Sequence, residues 1–132
     1  MGRFAVRATL IGPTGLTEDL DLLVDTGATF SVIPTAVANR LGLRVRRQQP
    51  VLIAGGRRDV WPVAEIRMAV GGRDDIPTLC FITDEGPILL GATILESLCV
   101  AVDPVARRLV DADAIIGTSR QSRPLVATPA LS

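Results

Sequence analysis

Leu22-Leu23-Val24-Asp25-Thr26-Gly27-Ala28-Thr29-Phe30-Ser31-Val32-Ile33-Pro34 is the stretch around which the rest of the chain is organised. Leu22 to Val24 reads as the end of a buried strand, and a carboxylate follows where another core residue is expected. An ionised carboxylate is costly to bury alone, so Asp25 must be hydrogen-bonded, paired or partly protonated. Thr26 supplies a hydroxyl that can bond inward, Gly27 lets the backbone turn, and Ala28 leaves room beside the carboxylate. A sharp turn that leaves an acid at the end of a buried strand has the form of an active-site loop.

Composition narrows the chemistry by elimination. The chain has no His and no Tyr, and all 14 of its basic residues are Arg, so it has no Lys either. Ser-His-Asp and Cys-His units and His-bearing metal sites are therefore excluded within one chain. Acid–base catalysis must fall to carboxylates. Glu18, Asp19, Asp59, Asp74, Asp75, Asp84 and Glu85 sit in polar, turn-like surroundings, whereas Asp25 and Asp103 are embedded in apolar runs. Asp103 precedes Pro104, which favours an ordinary strand-end turn.

The 132 residues suit one domain with a core of its own. Apolar residues make up 48% and aromatic ones 3%, so Val, Leu, Ile and Ala must build that core. The net charge is zero and the arginines are scattered or in short pairs, which argues against a nucleic-acid partner. No apolar run is long enough to span a bilayer, and the N-terminus lacks the apolar core of a signal peptide. Met1-Gly2 opens like a myristoylation site, but Val6 stands where Ser or Thr is wanted. A soluble protein of the cytoplasm, with no metal, cofactor or membrane partner, is expected. Cys80 and Cys99 lie in apolar segments and are expected to be buried free thiols.

In chain order, Phe4–Ile11 and Asp19–Val24 form a hairpin about Gly12-Pro13-Thr14-Gly15 that delivers Asp25. Pro34 opens a short helix at its first position, Gly42 caps it, and Val37, Ala38 and Leu41 give it one apolar face. Leu43–Ile53 and Val60–Val70 form a long hairpin tipped by Ala54-Gly55-Gly56, with Pro62 marking an edge. This hairpin is either a surface β-turn or a movable lid over the carboxylate. Trp61 is a lid anchor or a packing residue. Thr78–Thr83 is an apolar strand, and Ile88-Leu89-Leu90-Gly91 repeats the Leu22–Gly27 pattern without its Asp. Thr93-Ile94-Leu95-Glu96 has the capping-box form of a helix start. A last hairpin surrounds Asp103-Pro104. The expected domain is 1–116, with 117–132 a flexible tail.

Asp-Thr-Gly-Ala at Asp25 to Ala28, preceded by Leu-Leu-Val and followed by Ser31-Val32-Ile33-Pro34, resembles the catalytic loop of retropepsin-like aspartic proteases. Leu41-Gly42-Leu43 and Ile88-Leu89-Leu90-Gly91 with its following helix are similar to the bacterial branch of that family. The resemblance spans roughly Phe4 to Val110. It implies a mainly β, closed antiparallel, barrel-like acid-protease fold with one or two short helices. It also implies catalysis by Asp25, with Thr26, Gly27 and Ala28 supporting the loop and the substrate backbone. Ile53, Ala54, Gly55 and Gly56 would form the flap, and Ile88, Leu89, Leu90 and Gly91 the pocket. One Asp-Thr-Gly in a short chain implies a homodimer, with Asp25 from each subunit completing a dyad that hydrolyses peptides. The alternative is a peptide-binding or dimerisation module on the same fold without hydrolysis. Retroviral members pair an Asp soon after the triplet with an Arg after the second-loop glycine. Thr29 and Ala92 stand at those places, which implies apolar packing instead of an ion pair.

Overall fold

A computed structural model describes residues 3–117. The tail expected over 117–132 lies outside them save Gly117, as does the myristoylation reading at Met1-Gly2. The elements in order are β1 (Ala5–Ile11), β2 (Thr17–Val24), β3 (Ser31–Ile33), α1 (Thr35–Leu41), β4 (Val45–Ile53) and β5 (Arg57–Val70). They are followed by β6 (Ile76–Ile82), β7 (Leu89–Leu90), α2 (Ala92–Ser97), β8 (Val100–Asp103) and β9 (Arg108–Asp111).

β1 and β2 form the first hairpin in register from Ala5↔Leu23 to Ile11↔Thr17. Alternation along them sends Ala8, Leu10, Leu22 and Val24 inward. The main sheet runs β1-β2-β7-β3-β6-β5-β4, and a further β1–β5 pairing closes it into a ring that leaves only β4 outside. The fold is therefore mainly β and barrel-like, as expected, but the ring is mixed. Short β7 slots between the strands that enter and leave the Asp25 loop, parallel to β2 and antiparallel to β3, and β3 in turn runs parallel to β6.

Leu10, Leu22, Ile33, Leu41, Met68, Leu90 and Ile94 are fully buried inside the ring and beneath the helices. Burying each contributes about 1.5–3 kcal/mol. The aliphatic core expected from composition is thus what fills the interior. A smaller cluster of Val32, Val63 and Phe81 gathers Phe30, Val51, Trp61, Leu79 and Leu89 under the long hairpin.

Several local readings change in detail. Pro34 is extended (φ −71°, ψ 153°) and stands one residue before α1, not at its first position. The Thr35 amide is capped from a distance by Asp84 Oδ1 at 2.9 Å. Gly42 ends the helix in the left-handed region (φ 71°). The capping box at Thr93 does not form, since α2 begins one residue earlier and the Thr93 hydroxyl donates to the Thr29 carbonyl at 2.8 Å. Asp103 makes the ordinary turn, with Oδ1 accepting from the Val105 and Ala106 amides, each at 3.0 Å. Cys80 is buried in β6, but Cys99 is exposed, in a left-handed turn (φ 53°) between α2 and β8.

Gly91 is fixed by close approach. A Cβ there would meet the Phe30 carbonyl carbon at 2.5 Å and the Ser31 nitrogen at 2.8 Å, both backbone atoms. Gly91→Ala is expected to cost about 2–3 kcal/mol, read as a drop in urea midpoint; an unchanged midpoint would contradict this packing. Burial pushes the Cys80 thiol up to about 12. A thiol reagent at pH 8 should therefore modify only Cys99 in the folded protein and both cysteines in denaturant.

Candidate active site

Asp25 emerges from the end of β2 with its backbone already engaged. Its amide donates to the Leu90 carbonyl at 2.9 Å, and its own carbonyl accepts from the Ala28 amide at 3.1 Å. The Gly27 amide donates to Asp25 Oδ1 at 2.9 Å. Asp25 Oδ2 has only a loose cationic neighbour, Arg3 Nη2 at 3.9 Å, and the side chain is 25% exposed. One carboxylate oxygen is thus held by the loop and the other is free to meet a water or a second acid. Thr26, expected to bond inward, is exposed at the loop's tip. The inward bonds come instead from the Gly27 and Ala28 amides, and the Thr26 side chain stays exposed.

The loop is braced from behind by β7 and α2. The Gly91 amide donates to the buried Ser31 Oγ at 3.0 Å. The Ala92 amide donates to the Ala28 carbonyl at 2.7 Å, and the Thr93 amide to the Thr29 carbonyl at 3.1 Å. These bonds, with that of the Thr93 hydroxyl, occupy the place where an ion pair was expected to be replaced by apolar packing. The replacement is polar, because free α2 amides face carbonyls of the loop.

A cavity of about 630 Å³ lies between this loop and the β4–β5 hairpin. Asp25, Gly27 and Ala28 line it at the loop, and Ile53 and Ala54 at the hairpin. Gly55 and Gly56 form the hairpin tip at φ 97° and 94°, a conformation that side chains oppose, and do not line the cavity. Of the expected pocket residues only Leu89 faces it. Leu90 is wholly buried in the main core opposite Val24, Ile88 packs on that core, and Gly91 is pressed against the Phe30 backbone. The pocket assignment of Ile88, Leu90 and Gly91 is therefore corrected, since strand alternation turns Leu90 inward.

Residues that sequence reading passed over complete the walls: Phe30, Val32, Val51, Phe81, Pro87 and the charged Arg3, Arg47 and Glu85. The alternation of Gln49, Val51 and Ile53 was the available signal, masked by the polar run at its start. Trp61 is both anchor and packing residue. Its ring meets Phe81 edge-on at 5.7 Å, Phe81 meets Phe30 at 5.2 Å, and its indole N–H donates to Asp59 Oδ2 at 3.1 Å. The Val60 amide, and then the Trp61 indole, hold the Asp59 carboxyl below its ordinary range.

Near the tip, Arg57 Nη2 bonds Glu85 Oε1 at 2.6 Å and Nη1 lies 3.4 Å from Asp59 Oδ2, tying the hairpin to the 84–87 turn. All three groups are substantially exposed, so the tie is weak and salt-sensitive. Glu85→Gln is expected to speed amide exchange over residues 53–57 by roughly 2–5-fold, and 0.5 M salt should do the same to the wild-type protein. Identical exchange in both proteins would show that the pair does not restrain the tip.

Residues 6–94 of the chain, more than half its length, match the family described as aspartyl protease. Among solved structures it is similar to the EIAV protease complexed with the inhibitor HBY-793, at 27% identity and a TM-score of 0.56. That match covers 74% of this chain and 88% of the other. No curated protein matches it. With an Asp-Thr-Gly loop at a cavity beneath the β4–β5 hairpin on a retropepsin-like ring, the chain belongs to the aspartyl protease family.

Proposed function

We propose that the protein is an aspartic endopeptidase whose active form is a homodimer, with Asp25 of each subunit forming one half of a dyad. The observation that carries this reading is Asp25 itself: a single, mostly covered carboxylate with Oδ1 held by Gly27 and Oδ2 open to the cavity. One carboxylate cannot serve as base and acid in the same step. Two adjacent ones share a proton because both resist being ionised together, a known property of aspartic proteases.

In this mechanism the ionised carboxylate takes a proton from water as the water oxygen attacks the scissile carbonyl carbon. The protonated partner gives its proton to the carbonyl oxygen. As the resulting diol collapses, one of its hydroxyls gives its proton to the ionised carboxylate. The C–N bond breaks and the leaving nitrogen takes the proton of the other carboxyl, which restores the singly protonated dyad. The peptide lies extended beneath the hairpin, its side chains against Phe30, Val32, Val51 and Leu89. Gly27 offers backbone to the substrate, and the Thr26 hydroxyls of two subunits bond reciprocally. The catalytic unit is 1–116, and free thiols suit a reducing compartment such as the cytoplasm.

Digestion of a peptide library from acid to neutral pH tests the reading. Asp25→Asn should lower kcat/KM by about 10³-fold or more, and the wild-type profile should be bell-shaped. Light scattering should find a dimer at active concentrations. Equal cleavage by variant and wild type would refute the role of Asp25, and activity from a monomer would refute the shared dyad. Peptide binding without cleavage at any pH would favour the binding-module alternative.

A further inference from the structure

Besides Asp25, the cavity is lined by three charged side chains, Arg3, Arg47 and Glu85. Two of these have countercharges within the chain. Arg3 faces Asp25 at 3.9 Å, and Glu85 is held by Arg57 at 2.6 Å. Arg47 differs. Its Nε donates to the neutral Gln49 Oε1 at 3.1 Å, and among the described residues it forms no ion pair. Arg7, Arg40, Arg46, Arg67 and Arg73 each hold a carboxylate elsewhere on the surface. The cavity therefore carries one positive charge that nothing described balances.

The backbone aims this charge. Val45 pairs with Ala64 and Arg47 with Val63, so β4 spends an extra residue, Arg46, on one step of β5. Such a bulge re-aims the side chains that follow it. Arg46 reaches outward to Glu65 at 2.9 Å. Arg47 falls into phase with Gln49, Val51 and Ile53, the partly buried cavity-lining positions of β4, whereas Pro50 and Leu52, of the other phase, line the cavity from exposed positions. With Nε occupied by Gln49, both Nη groups remain for a planar two-oxygen acceptor, the pairing at which guanidinium excels.

We propose that Arg47 is a specificity-determining residue that binds an acidic side chain of the peptide substrate in a subsite at the base of the hairpin. This rests on the peptidase reading and deepens it. Arg47 lies six positions along β4 from Ile53 at the tip, about 20 Å of extended strand. The subsite is thus set apart from the hairpin tip, on the strand step opposite Val63, whose cluster with Val32 and Phe81 carries the apolar wall. In a two-fold dimer each subunit brings one Arg47, so preferred substrates carry Asp or Glu on both sides of an apolar scissile segment.

The test uses acetylated, amidated peptides with one apolar centre flanked by Glu, Gln or Arg, so that only side chains differ in charge. Their kcat/KM values are measured with wild type, Arg47→Gln and Arg47→Glu. Their binding to Asp25→Asn protein, with and without the Arg47 changes, is measured by calorimetry. Wild type should favour Glu over Gln roughly 5-fold, in KM rather than kcat, and lose that preference with added salt. Arg47→Gln should erase the preference, and Arg47→Glu should turn it toward the Arg peptide. If nothing is cleaved but the Asp25→Asn protein still prefers the Glu peptide through Arg47, the subsite stands and the hydrolytic reading falls. Equal handling of Glu and Gln peptides, absence of binding to all of them, or a preference untouched by Arg47 changes would each overturn the proposal.

Discussion

The architecture depends on keeping one carboxylate still at the end of a buried strand. That is accomplished by main-chain bonds to β7 and the start of α2 rather than by charge. Asp25 N–H to Leu90 O at 2.9 Å fixes the strand end, and Ala92 N–H to Ala28 O at 2.7 Å fixes the far side of the turn. Ser31 is the one polar side chain in this bracing that is fully buried, and its hydroxyl satisfies the Gly91 amide. Leaving that amide unpaired would cost about 1–3 kcal/mol. Because spacings between backbone groups are set by covalent geometry, the carboxylate inherits a position more exact than a surface ion pair could supply.

The same two stretches, 22–34 and 88–93, explain how far the sequence could be read. Apolar runs ending in Asp-Thr-Gly and in Gly91 announced two strand ends, and the turn residues at Gly12 to Gly15 announced the hairpin that delivers the first of them. The hairpin tip was legible because Gly55 and Gly56 need positive φ. What could not be read were contacts made across the fold. Asp84 looked like a polar turn but caps α1 from the end of β6, the strand parallel to β3 and 49 residues away in sequence. Thr93 looked like a local cap but bonds a carbonyl 64 residues earlier. Strand phase hid the cavity walls in the same way, since one residue's shift separates Leu89 in the cleft from Leu90 in the core.

The aromatic residues are few, and three of the chain's four, Phe30, Trp61 and Phe81, stack against one another at the cavity. The main core manages with aliphatic side chains. Large flat groups are concentrated where a ligand needs broad, rigid contact and where the hairpin needs a footing. Trp61 joins these roles, since its ring belongs to the small cluster while its N–H grips Asp59 on the same strand.

Pro62 marks where the hairpin leaves the ring. Pairing of β5 with β6 ends at Val63↔Phe81, and from Pro62 outward β5 pairs only with β4. A residue without an amide proton loses nothing there, because no strand waits on that side to accept one. The projecting arm is therefore a cantilever rooted in the Trp61–Phe81 contact, with Val51 resting on the same cluster and Arg57 lightly tethered to Glu85. Bending at this root would change the height of the cleft while leaving the ladder that holds the acid intact.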